Sequence, residues 1–437
     1  MDAGLGRDEL ERNVRLFVWF RVLFNARFYY PIFAVFFTEM GLSVSQFLWL
    51  NALWAITIVL FELPSGVLAD MVGRRKLVIF SAMSMLVEML LLLLAPIGGG
   101  WWLFGVCAVN RVLSGLAEAS ASGADEALAY DSVKLLHEDE GEREHRWDKV
   151  LVATMRWRSI AMVLAMVVGA FVFDYEKMRL IFGDFPKWVS LKLPVALCFV
   201  SSLFCVFFAF RLSDLGLVKK GGKQAKHLSG IWHGALSAVR WVWVTRWLAV
   251  LIVAGLIIDA SSRTFVTLQS SYFQYIDLPT YTWGIIGAGM SLSGVVVPIY
   301  VKQMARKFSP RVNFIYAGLV TLAGLLGVAF VSNAWGVVPC FLVMLGLMQV
   351  GFLLSRFINQ AAPSEQRASI LSVNNLTLNL GYGAFSFAVG SAMNHMAESI
   401  GERAAFGWAL EWMAYGLAIG LVVWALLSMR VRQEARN

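Results

Sequence analysis

Apolar residues along this chain gather in long runs, separated by shorter stretches that carry most of the charge, and twelve such runs can be marked. In the first half they cover Leu16–Phe37, Val44–Ala69, Lys76–Ala95, Trp101–Tyr130, Lys149–Phe173 and Ser190–Phe210. The second half gives Trp247–Tyr272, Thr282–Val301, Val312–Val331, Trp335–Phe357, Ala368–Met393 and Trp408–Leu427. An α-helix needs about 20 residues to cross a bilayer. The strands of a membrane β-barrel, about ten residues each, do not produce runs this long. The pattern predicts an all-α polytopic membrane protein with twelve transmembrane helices.

The polar stretches between the runs are uneven. If the N-terminus is cytoplasmic, the segments on that side hold 26 of the 37 Lys and Arg residues. The other side holds five: Lys177, Arg179, Lys187, Lys192 and Arg403. Basic residues concentrate on the cytoplasmic side of membrane proteins, so both termini are expected inside, with the chain in the plasma or inner membrane. The net charge of +8 then reflects topology and not a nucleic-acid partner. Composition agrees: 15% of residues are charged and 59% hydrophobic, against about 25% charged in soluble domains. A soluble multidomain enzyme is excluded.

The longest connection, about residues 211–246, divides the chain into 1–210, a cytoplasmic linker, and 247–437. It begins with the cationic, flexible stretch Lys219-Lys220-Gly221-Gly222-Lys223. Apolar residues from Leu228 to Trp243 then recur at helical spacing. This predicts an amphipathic helix against lipid headgroups, or a plain tether between two bundles. Cys107, Cys198, Cys205 and Cys340 all fall in apolar runs, so no disulfide, thiolate metal site or other cofactor is expected.

Between runs two and three the sequence reads Gly66-Val67-Leu68-Ala69-Asp70-Met71-Val72-Gly73-Arg74-Arg75-Lys76. Gly73 permits a tight turn. Arg74 and Arg75 can pair with Asp70 or Asp131 across one face, which is what a locking loop requires. The stretch resembles the loop-two motif of the major facilitator superfamily of secondary transporters, departing from it at Met71. Arg111-Val112-Leu113-Ser114-Gly115 in run four resembles the Arg-x-x-x-Gly signature associated with that family's proton-coupled members. The resemblance implies two pseudo-symmetric six-helix bundles and alternating access around a central cavity. It also implies a transport unit of one chain. The counterpart of the loop in the second half, Tyr300–Lys307, keeps its bases but lacks the Asp and Gly. The antiporter signature expected in run five is absent around Gly169.

Ionisable residues inside membrane helices are expensive and mark function by default. Arg27, Arg111 and Arg263 fall near the middle of runs one, four and seven, which the resemblance places around the cavity. They are candidates for holding an anionic or zwitterionic solute. Asp259 with Arg263, and Arg111 with Glu118, would alternatively buffer each other. Tyr30, Gln269, Gln349 and Asn375 are candidate polar or aromatic lining groups. Arg111, Gly115, Glu118, Ser122 and Asp125 share one helical face. Glu118, Asp125 and Asp259 are therefore candidates for proton coupling, and Glu88 for either a structural or a coupling role. Asp70, Gly73, Arg74, Arg75 and Asp131 are assigned to gating.

The leading expectation is a secondary active transporter of a small organic solute, working by alternating access and coupled to protons. An exporter of amphiphilic or drug-like compounds is the alternative within transport. A transporter-like sensor or lipid-handling protein is the alternative outside it. An enzyme is not expected: His137-Glu138-Asp139-Glu140-Gly141 lacks the second histidine of a zinc-hydrolase pattern. The expected partners are the solute and membrane lipids.

Overall fold

The computed structural model describes residues 6–215, 237, 239–363 and 367–429, apart from the side chains of Leu63, Gly66, Val67, Asp70, Val295, Val296 and Ala368. Its regular secondary structure there is entirely helical, and the path gives twelve spans in two six-helix bundles. Nine helices among the described residues are long and apolar enough by themselves to cross a membrane. The other three spans are the first, fourth and eleventh. The first and fourth are each interrupted, and the eleventh, Arg367–Ile400, carries Asn374, Asn375 and Asn379. Much of the expected linker helix lies outside the described residues; within it, 239–244 are helical.

Span one is a helix Arg7–Asn25, a break, and a second helix Phe33–Met40. A short 3-10 turn, Tyr30–Ile32, joins them. Pro31 has no N–H to continue a ladder, which fits the interruption. The broken segment brings Arg27, Tyr29 and Tyr30 to mid-membrane, and unwound helices at that depth are tolerated where they line a cavity. Span four is interrupted at Ser122-Gly123, between helices Gly100–Ala121 and Ala124–Leu136. Spans two and three, Val44–Val72 and Arg74–Leu94, are separated by Gly73 alone. Its φ of 106° lies in the region open chiefly to glycine.

The bundles meet along three seams: span two against span eleven, span five against span eight, and the second helix of span one against span seven. Small residues allow the close approach. Gly383 and Gly390 on span eleven lie against Ala52, Ala55, Leu48 and Ser45 of span two. Gly284 of span eight lies on the span-five backbone at Met166 and Val167. Two hydrogen bonds close the third seam, where Ser270 Oγ accepts from the N–H groups of Ala34 (3.0 Å) and Val35 (3.2 Å). Trp49 Nε1 also donates to Ser391 Oγ at 3.2 Å. These contacts lie toward the end where spans one and two join. At the other end, which carries the Gly73 turn and most of the basic residues, Glu118 and Ser122 on span four and Ser355 and Asn359 on span ten are exposed. Among the described residues, the bundles meet at one end and stand apart at the basic end.

Gly169 of span five is tightest of all, because a Cβ there would overlap the Phe28 carbonyl in the break of span one. Gly169→Ala should therefore destabilise the protein by about 1–3 kcal/mol. Gly105→Ala, with open space around it, should not. Thermal unfolding of the two variants in detergent checks the contrast.

Candidate functional site

Two connected cavities occupy the space between the bundles. The inner one, of about 280 Å3, is lined from both halves by residues that include Arg27, Tyr30, Trp54, Arg111, Arg263 and Tyr382. The second, of about 240 Å3, leads toward the basic end past Ile58, Glu62, Ser122, Asn375 and Asn379. Trp54, Glu118 and Arg263 line both. A cavity of about 620 Å3 near Glu39, Asp174, Lys187 and Asp277 lies beyond the closed end, away from the intramembrane charges.

The three central arginines differ in how their charge is met. Arg27 Nη1 lies 2.5 Å from Glu88 Oε1, with both side chains almost wholly buried. Its guanidinium also sits 5.3 Å from the Phe24 ring centre. Glu88, on span three, is the internal counter-ion of the broken span one. Arg263 donates to Asp259, one turn earlier, and to Asn379 Oδ1 of span eleven, both at 2.8 Å. It lies 5.3 Å from the Tyr382 ring centre.

Arg111 has no carboxylate partner among the described residues. Its Nε and Nη2 donate to Asn110 Oδ1 at 3.0 and 2.8 Å. Asn110 Nδ2 in turn donates to the Glu88 carbonyl at 2.8 Å. The guanidinium is 5.3 Å from each of the Phe33 and Phe37 ring centres, a cation–π arrangement. Arg111 is thus held by an uncharged amide, two rings and the Tyr29 hydroxyl, with Glu88 close by.

The carboxylates separate in the same way. Asp125 takes a two-pronged contact from Arg21, at 2.8 and 2.5 Å, so the polar face of span four turns from the cavity toward span one at that point. Asp259 is held by Arg263. Glu118 is exposed to both cavities and has no ion-pair partner among the described residues. Glu62 lines the outer cavity as well, and its Oε2 is buried without a hydrogen bond.

Of the expected lining groups, Tyr30 and Gln269 face the inner cavity, where Gln269 Nε2 approaches Met290 Sδ at 2.9 Å. Asn375 lines the way in. Gln349 is buried, with neither side-chain atom hydrogen-bonded, and is not among the cavity residues. Sequence reasoning does not reach Thr267 and Tyr382, whose hydroxyls meet at 3.0 Å beside Arg263. Their spacing offered a signal: Arg263 and Thr267, and Asn379 and Tyr382, each lie one helical turn apart.

At the basic end, Arg74 pairs with Asp131 and donates to the Ala127 carbonyl at 3.0 Å. Arg75 donates to the Leu212 and Phe210 carbonyls, at 2.6 and 3.0 Å, where span six ends. Both arginines thus tie spans three, four and six within the first bundle. The Asp70 side chain is outside the described set. Among the described residues, no group of His, Cys, Asp or Glu is arranged to hold a metal ion.

A family model described as Major Facilitator Superfamily matches residues 16–386. No curated protein matches the sequence. Among solved structures, a point mutant of nucleoside transporter NupG superposes with a TM-score of 0.74 at 11% identity, covering 96% of this chain and 99% of that one. A point mutant of peptide transporter POT gives 0.66 at 16% identity, covering 95% of each chain. A POT family transporter in complex with 5-aminolevulinic acid gives 0.59 at 13% identity, covering 96% of each. At these identities the likeness is one of fold.

Removing one partner of a buried ion pair leaves an unmet charge that costs about 3–5 kcal/mol. Arg27→Ala should therefore destabilise strongly, whereas the double variant Arg27→Met/Glu88→Leu should recover most of the loss. Arg111→Ala leaves no carboxylate stranded and should change stability far less. Thermal unfolding of the three proteins in one detergent tests this ordering.

Proposed function

This chain belongs to the major facilitator superfamily and is a multi-pass membrane transporter, not an enzyme; we propose that it moves a small anionic or zwitterionic organic solute by alternating access, coupled to protons. The observation that carries the proposal is Arg111. It is a buried cation lining the central cavity, with no ion-pair partner among the described residues. A solute carboxylate or phosphate satisfies it with a charge-assisted bond of the kind guanidinium groups favour. Arg263 adds donors from the second bundle, so one anionic group can engage both halves.

Glu118 is the carboxylate best suited to coupling. It faces the cavity with no ion-pair partner among the described residues, whereas Asp125 and Asp259 are each held by an arginine. Glu118 lies seven residues, about 10 Å of helix, from Arg111 on the same span. Glu118 is the acidic residue of the described inner-cavity lining, so proton binding there and solute binding act on one electrostatic field. The solute enters from or leaves to the basic end, which the charge bias assigns to the cytoplasm. Each chain contains a whole cavity, in keeping with a functional monomer in a plasma or inner membrane.

The aromatic and sulfur lining, with Tyr30, Phe33, Trp54, Met290, Met344 and Tyr382, favours a second reading in which the cargo is amphiphilic and exported. The readings part on substitution. Arg111→Ala abolishes transport in the first, and Trp54→Ala does so in the second.

In proteoliposomes loaded with a transported solute, Glu118→Gln should remove the dependence of net flux on an imposed pH gradient while solute–solute exchange persists. Asp125→Asn should keep that dependence. A gradient response unchanged by Glu118→Gln would clear Glu118 of coupling.

A further inference from the structure

The bundles share one device at the basic end and complete it differently. In the first bundle Arg75, at the start of span three, clamps the carbonyls where span six ends. In the second, Arg311 at the start of span nine (Pro310–Phe330) donates to the Ala425 carbonyl near the end of span twelve at 3.0 Å. Arg311 is the pseudo-symmetric counterpart of Arg75. The remaining base of the first loop, Arg74, is neutralised by Asp131 of span four. Span ten, the counterpart of span four, runs Val337–Ala361 without an Asp or Glu.

The bases Arg306 and Lys307 stand at the end of span eight. Neither they nor Arg311 form an ion pair among the described residues. The three border a cavity of about 530 Å3 between the ends of spans seven, eight, nine and twelve. Its described lining contains no acidic residue. Arg311 Nε is buried without a hydrogen-bond partner. Trp424, another wall, is fixed by its own bond to the Val250 carbonyl at 2.7 Å. The cavity lies at the ends of four membrane spans, where lipid headgroups sit.

We infer that this cavity, lined by three bases and no described acid, binds the phosphate group of an anionic phospholipid. Arg306 and Lys307 supply the charge, and Arg311 holds span nine to span twelve beneath it. Basic pockets between helices on the basic side of a membrane suit such headgroups. A bound phosphate would tie the end of span eight to the start of span nine. The site stands apart from the central cavity and does not depend on what is transported.

The test uses the full chain, purified in detergent, with thermal unfolding followed during titration with phosphatidylglycerol or phosphatidylcholine. Phosphatidylglycerol should stabilise selectively. The double variant Arg306→Gln/Lys307→Gln should need about 25-fold more of it for the same shift. Lys177→Gln/Lys187→Gln, an equal charge change at the opposite end, should respond as the unmodified protein does. Equal stabilisation by both lipids, or a basic-end variant that responds normally, overturns the inference. A third arm uses inorganic phosphate: a shift that it reproduces, and that the same variant loses, supports phosphate chemistry with a soluble source. Unchanged unfolding of the double variant in phosphatidylcholine guards against a folding defect.

Discussion

A guanidinium can be kept inside a membrane protein only if something meets its charge, and this constraint organises the centre of the molecule. Arg27 and Glu88 satisfy each other across spans one and three, which pins the unwound segment of span one at mid-membrane. Asn110 then links the backbone at Glu88 to Arg111. Span four is thereby set against the same pair without its arginine being discharged. On the other side of the cavity, Asp259 and Asn379 do for Arg263 what Glu88 does for Arg27. The result is a cavity with several charges on its walls and few of them free.

The two ends are held together differently. The closed end is held by glycine contacts, apolar packing and hydrogen bonds, one of them from the Tyr281 N–H to Asp174 Oδ2 at 3.2 Å, interactions that depend on close approach and vanish over a short separation. At the basic end, the described arginine contacts run within a bundle and not between bundles. Such an arrangement keeps each bundle rigid while leaving the relation between bundles to a few short-range seams. It is well suited to rigid-body motion around a fixed site, as alternating access requires.

Most of the architecture was legible because membrane insertion writes its requirements linearly: a span needs a run. The runs and the helices agree closely, with helices such as Arg7–Asn25 extending beyond the apolar segment into water. Less of the site was legible. That Arg27, Arg111 and Arg263 matter follows from charge at mid-span, but which of them is neutralised depends on partners such as Glu88, 61 residues away. Span four reads as one polar stripe from Arg111 to Asp125, yet the turn at Gly123 sends Asp125 to Arg21. Thr267 and Tyr382 carry no charge, so nothing in a hydropathy reading sets them apart.

The hydroxyl of Ser270 fills a role usually taken by a residue within the helix itself. The second helix of span one begins without a side-chain cap of its own, and its first N–H groups are satisfied from the other bundle. Secondary structure and domain closure are therefore one event at this seam. Parting spans one and seven strands two backbone donors in a region where lone donors are costly. Water or a solute oxygen must replace the hydroxyl as it leaves. A helix start that borrows its acceptor in this way makes hydration a participant in opening, and not merely its consequence.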